Sequence, residues 1–158
     1  MPDGRLICWA QQAGHGPQLF LQDAGGGWKA LTTDQPDTRS QLQVMISPAG
    51  DRAAAINASQ LMLVDLASGA VHLQENWPAG AVLAGWMANG RGLFASQAKG
   101  DRIDLSHFDL ATNQVELWKR IDSPRAMPVW ARVTPDGRSY GYVYQVNSVD
   151  AFVVSGLR

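Results

Sequence analysis

A short turn signature recurs along the chain at a near-constant interval, and that interval restricts the fold more than any other feature. It reads Met1-Pro2-Asp3-Gly4-Arg5, Ser47-Pro48-Ala49-Gly50-Asp51-Arg52, Met87-Ala88-Asn89-Gly90-Arg91 and Thr134-Pro135-Asp136-Gly137-Arg138. The four glycines lie 46, 40 and 47 residues apart. A period of that length is what a four-stranded propeller blade requires.

A second shared element follows, its Asp or Ser position 15 to 19 residues after each glycine. Its copies are Leu21-Gln22-Asp23-Ala24-Gly25, Val64-Asp65-Leu66-Ala67-Ser68-Gly69, Phe108-Asp109-Leu110-Ala111-Thr112-Asn113 and Val154-Ser155-Gly156. Each follows an apolar run and closes on Gly or Asn, residues that tolerate the positive φ of a hairpin turn. Two turns per period divide every repeat into short strands, here termed a to d from the axis outward.

The second repeat reads Leu42–Pro48, Arg52–Ala58, Gln60–Leu66 and Ala70–Glu75, and the third Val82–Met87, Gly92–Ala98, Arg102–Leu110 and Gln114–Ile121. The first repeat has strands b to d (Arg5–Gln11, Gln18–Gln22, Trp28–Thr32), and the last has a to c (Val129–Thr134, Ser139–Gln145, Val149–Val154). The run Leu61-Met62-Leu63-Val64 is apolar on both faces, as a strand buried between two stacked sheets must be. No segment shows the 3.6-residue apolar period of a helix. The expected fold is all-β: a partial propeller of about three and a half four-stranded antiparallel blades, fourteen strands in one domain. Its blades span 5–32, 42–75, 82–121 and 129–154.

Both ends of this array are incomplete. Met1 stands where later repeats have a turn residue, and no strand d follows the last strand c. Open blade edges invite pairing. Two arrangements would cover them: an upstream half-propeller in a longer protein, which is the preferred expectation, or a homodimer whose copies complete one ring.

Thirteen basic against fourteen acidic residues give no electrostatic case for nucleic acid. No stretch approaches the ~18 apolar residues of a membrane span. Cys8, the one cysteine, lies in the apolar run Leu6-Ile7-Cys8-Trp9 with no adjoining cation, and reads as a structural thiol. His15, His72 and His107 occupy unrelated repeat positions without metal-ligand spacing, so no metal or cofactor is expected. The turn aspartates read as backbone acceptors. Neither a Gly-x-Ser-x-Gly elbow nor a phosphate-cradling glycine loop occurs, and no enzymatic activity is expected of this chain.

The repeated turns share one rim of such an array. The other rim carries the variable b–c loops and d–a connectors, where a partner is expected to bind. Its charged candidates are Asp34, Asp37, Arg39, Glu75, Lys99, Asp101, Asp122 and Arg125. Of six tryptophans, Trp28, Trp86, Trp118 and Trp130 fall on strands and suit inter-blade packing. Trp77 lies in the connector Glu75-Asn76-Trp77-Pro78 and joins the binding-surface candidates.

The turn sequences resemble the WD-like repeats of TolB-type propellers, in which Ser-Pro-Asp-Gly-(Lys/Arg) follows strand a and Asp-Leu-x-(Ser/Thr)-Gly follows strand c. The resemblance covers essentially the whole chain in four copies. Ala49, Asn89 and Ser155 depart from it, and the histidine-containing motifs of true WD repeats are missing. The C-terminal run from Val133 is similar to the tails of bacterial multidomain proteins that join a propeller to a kinase or winged-helix domain. The resemblance implies a non-catalytic protein-interaction or ligand-sensing module, the C-terminal part of a longer bacterial protein, with a periplasmic or extracytoplasmic setting. Its alternative implication is the gating propeller of a hydrolase resembling the prolyl-oligopeptidase group.

Overall fold

The computed structural model describes residues 4, 6–23, 25–34, 42–57, 60–122 and 127–146. Thirteen strands run through them, and strands adjacent in sequence pair antiparallel into four separate sheets. β1 (Ile7–Gln11), β2 (Pro17–Gln22) and β3 (Trp28–Ala30) form the first. β4 (Gln43–Ile46), β5 (Arg52–Asn57), β6 (Gln60–Asp65) and β7 (Val71–Gln74) form the second. β8 (Val82–Trp86), β9 (Gly92–Lys99), β10 (Arg102–Asp109) and β11 (Val115–Asp122) form the third, and β12 (Met127–Val133) with β13 (Tyr140–Gln145) the fourth. The strand expected at Val149–Val154 lies outside the described residues. β3 ends two residues earlier than the apolar pattern indicates. The Thr32 hydroxyl accepts the Leu19 amide at 3.0 Å there, a side-chain substitute for the next ladder bond.

The repeated turns form as their residues dictate. Gly50, Gly90 and Gly137 have φ of 74°, 64° and 68°, which a side chain would strain, and their amides donate to the carbonyls of Ser47, Met87 and Thr134. Asp136 Oδ1 accepts the Arg138 amide at 3.0 Å, and Asn89 Oδ1 accepts the Arg91 amide at 2.9 Å. Where Ala49 replaces the acid, Asp51 accepts the Ser47 hydroxyl at 2.7 Å, as Asp136 accepts the Thr134 hydroxyl at 2.6 Å. In the second set of turns, Asp65 Oδ1 accepts the Ala67 and Ser68 amides and the Ser68 hydroxyl. Asp109 does the same with Ala111 and Thr112.

Apolar residues of alternating direction place a core on either side of each middle sheet. Ala53, Ala55, Met62 and Val64 pack toward Leu19 and Leu21 of the first sheet. Ala54, Ile56, Leu61 and Leu63, from the same strands, pack toward Leu83, Leu93, Ala95 and Phe108 of the third. The third sheet in turn meets Ala131 and Val133 of the fourth through Ala84, Phe94, Ile103 and Leu105. Leu61 to Val64 are buried on both faces, so each contributes about 1.5–3 kcal/mol of burial to one inter-sheet core or the other. The four sheets are therefore blades, stacked face to face in chain order.

Polar bridges tie neighbouring blades together. The Trp9 and Trp86 indoles donate to the carbonyls of Gln43 and Met45 at 3.1 Å each. The Leu83 amide donates to Gln43 Oε1 at 2.9 Å, and its carbonyl accepts from the Arg132 guanidinium. β8 thus has its Leu83 backbone groups satisfied by side chains from the blades before and after it. A free inner strand edge is expensive unless paired, and here the neighbouring blades supply the partners.

Candidate functional site

Antiparallel pairing decides which loops share a rim. Arg102 pairs across from Lys99 on β9 and from Asp122 on β11, so the b–c loop and the end of strand d meet at one end of the third blade. The connector arriving from the second blade reaches the same end, where Gln97 Nε2 donates to the Ala79 carbonyl at 2.6 Å. This rim is the variable one, opposite the repeated turns.

The candidates fall into separate groups on it. Asp34, after β3, accepts Gln18 Nε2 at 2.6 Å and lies 3.1 Å from His15 Nδ1, joining connector to b–c loop within the first blade. Desolvation opposes ionisation of Asp34, but hydrogen bonds from the Gly16 backbone, His15 and Gln18 hold its carboxyl below the usual range. Glu75 is exposed at the end of β7. Lys99, Asp101 and Asp122 gather on the third blade. Asp37, Arg39 and Arg125 lie outside the described residues.

Trp77 requires correction. Its side chain is 7% exposed and belongs to the core between the second and third blades. The positive φ of Asn76 (59°) turns the chain after β7. The indole then stands edge-on to Phe108 with ring centroids 5.3 Å apart, and Nε1 donates to the Ala81 carbonyl at 3.2 Å. A connector residue is free to be core when the gap beneath it is wide enough for an indole, and here it is. Trp77 offers no surface to a partner.

Sequence reasoning missed the organising group of the third-blade rim, Asp104. Its carboxylate, 7% exposed, lies 3.0 Å from Lys99 Nζ, 3.1 Å from Arg120 Nε and 3.5 Å from Arg102 Nε. Burial works against its charge, but the hydrogen bonds of Lys99 and Arg120 and the nearby cations prevail and lower its pKa. One buried carboxylate therefore orients Lys99 and Arg120 by hydrogen bonds and attracts Arg102 by charge. Arg102 Nε finds no hydrogen-bond acceptor among the described residues. The signal was present as Lys99, Arg102 and Arg120 around one inward-facing acid of β10, but only the pairing register shows that they converge. Such a cluster can orient carboxylates, carbonyls and other acceptors of an incoming chain. Among the described residues no three His, Cys, Asp or Glu side chains converge as a metal site would need. Nor is any helix there long and apolar enough to cross a membrane.

Radially stacked meanders of this kind define a β-propeller, present here as a partial array. More narrowly, the fold is of the TolB type. The chain superposes on TolB from Acinetobacter baumannii with a TM-score of 0.59 and 18% identity, covering 87% of this chain and 35% of that one. With a putative TolB from Agrobacterium tumefaciens the TM-score is 0.62 at 16% identity, over 94% and 53% of the two chains. An oligogalacturonate lyase in complex with manganese gives 0.59 at 15%, over 89% and 49%. The chain thus spans between about a third and a half of the length of these structures. No family model matches it, and no curated protein matches it by sequence.

Proposed function

We propose that this chain is a non-catalytic interaction module which presents the variable rim of a larger propeller to a protein or peptide partner. The observation that carries this reading is the Asp104 cluster: a buried carboxylate holds Lys99, Arg102 and Arg120 at the rim, on a blade buried on both faces. Rigidly held, partly solvated charges suit recognition, because little side-chain order remains to be imposed on binding. The exposed carboxylates of Asp101, Asp122 and Glu75 border the same rim and would select partners by sign. The lengths of the similar structures support a role within a longer protein, with further blades completing the ring.

The reading is tested with the full chain as bait in extracts of its native host, beside an Asp101→Lys/Glu75→Lys variant. A partner retained by the native chain, shown by titration to bind directly, and lost at least about tenfold by the variant is expected. Identical partners and affinities for both baits would remove the rim from the account. Turnover of peptides or oligogalacturonate by the purified chain would remove the non-catalytic claim.

A further inference from the structure

Three blades meet at the turn between β8 and β9. Arg52, at the start of β5 in the second blade, donates to the Gly90 carbonyl at 2.8 Å. The Ala88 amide donates to the Pro135 carbonyl of the fourth blade, also at 2.8 Å. Asn89 lies exposed between these two contacts. It takes the place that Asp136 has in the fourth repeat, and of five asparagines in the chain it is the one followed by glycine.

A glycine amide is the least hindered nucleophile the backbone can offer to a preceding asparagine side chain, because no Cβ stands beside its nitrogen. The space around Gly90 is open as well, since a Cβ there would meet only Arg52 Nη2, at 3.6 Å. The 2.9 Å bond from the Arg91 amide to Asn89 Oδ1 closes a ring that contains both Asn89 Cγ and the Gly90 nitrogen. It also sets a backbone donor on the oxygen that gains charge when that nitrogen attacks Cγ. The Arg52 guanidinium beside Gly90 favours loss of the amide proton by charge. One contact acts as a brake: the Gly90 amide donates to the Met87 carbonyl at 2.9 Å and must let go first. The other asparagines precede Ala58, Trp77, Gln114 and Ser148, whose side chains crowd the attacking nitrogen.

We propose that Asn89 is a site of spontaneous deamidation, a modification that loosens the join between the third and fourth blades. The Gly90 nitrogen gives its proton to water and its electron pair to Asn89 Cγ. The Cγ–Nδ2 bond breaks, and ammonia leaves with a proton from water. Water then opens the succinimide, at Cγ to give aspartate or at the main-chain carbonyl carbon to give isoaspartate. In sum one water is consumed and one ammonia released, with no change of oxidation state. Aspartate keeps the turn, since Asp136 accepts the Arg138 amide in the same way at 3.0 Å. Isoaspartate adds a carbon to the main chain between Ala88 and Gly90, so the contacts to Pro135 and Arg52 can no longer both be met.

The test is to age the full chain in mildly alkaline buffer and map it by tandem mass spectrometry, with isoaspartyl methylation to separate the products. One tryptic peptide, from Ala53 to Arg91, carries Asn57, Asn76 and Asn89 together. Asn89 is expected to be lost first, in a single exponential, while the chain stays folded. Gly90→Ala should slow the loss about tenfold or more, and should do so in urea as well, where its effect on the turn no longer matters. Hydrogen exchange at β12 should quicken in the isoaspartate form, whereas an Asn89→Asp variant should match the fresh chain. The proposal is overturned if Asn89 outlasts Asn57 or Asn76, if it is lost only in urea, if Gly90→Ala reacts at the native rate, or if β12 exchanges equally in the isoaspartate form and the fresh chain.

Discussion

An indole on a connecting loop can face solvent or fill the gap between blades, and Trp77 fills the gap. Trp77→Ala should therefore cost about 3–5 kcal/mol in urea unfolding, the penalty of emptying a packed site, where an exposed binding residue would cost under about 0.5 kcal/mol. Asp104 is the polar counterpart. Asp104→Asn removes the charge that holds Lys99, Arg102 and Arg120 together, and should destabilise by about 1–3 kcal/mol; the cations are half exposed, so the full cost of breaking a buried pair does not apply. Neither role was legible in the sequence. Trp77 depends on how wide the gap under its connector is, and Asp104 on which side chains the β9–β10–β11 register brings beside it. Both are set by elements packing on one another and not by neighbours along the chain.

At the scale of elements the sequence speaks clearly, because turns are local chemistry. Gly50, Gly90 and Gly137 mark positive φ, and Asp65 and Asp109 mark backbone acceptors, whatever the blades do around them. The move of the hydroxyl acceptor from position 49 to Asp51 was less visible, since it needs the Ser47 hydroxyl to turn toward it. These hydrogen bonds have a pH signature. Asp65 and Asp109 are depressed chiefly by the Ser68 and Thr112 backbone amides, Asp51 and Asp136 by the Ser47 and Thr134 hydroxyls. A depressed folded-state pKa means the unfolded chain binds more protons. The stability is present above the unfolded value near ~3.9 and lost as pH falls through the folded values. Urea midpoints should therefore drop steeply below about pH 4, and an Asp65→Ala/Asp109→Ala variant should show a shallower drop. Close approach between blades is a further element-scale property. A Cβ on Gly85 would stand 2.6 Å from the Val133 carbonyl oxygen, so Gly85→Ala should push β8 from β12 and cost about 1–3 kcal/mol.

Among the described residues, the whole molecule is a short stack of blades whose middle members have a buried core on both faces. All six residues of β13 are exposed, whereas five of the six in the equivalent β5 are buried. In a repeat array each unit is stabilised by its neighbours, so sedimentation of the purified chain should show concentration-dependent, heterogeneous association. A monodisperse dimer would favour two copies completing one ring over further blades in a longer protein. The repeat period made the stacking order readable from the sequence, because each turn signature marks one blade. The two middle blades form a scaffold that carries solvated rim loops, and native-state hydrogen exchange reads the difference between them. β5, β6, β9 and β10 should exchange slowest and through a shared opening, with the Lys99–Arg102 hairpin tip fast and β1 and β13 intermediate. Uniformly fast exchange, or greatest protection in β1 or β13, would contradict it.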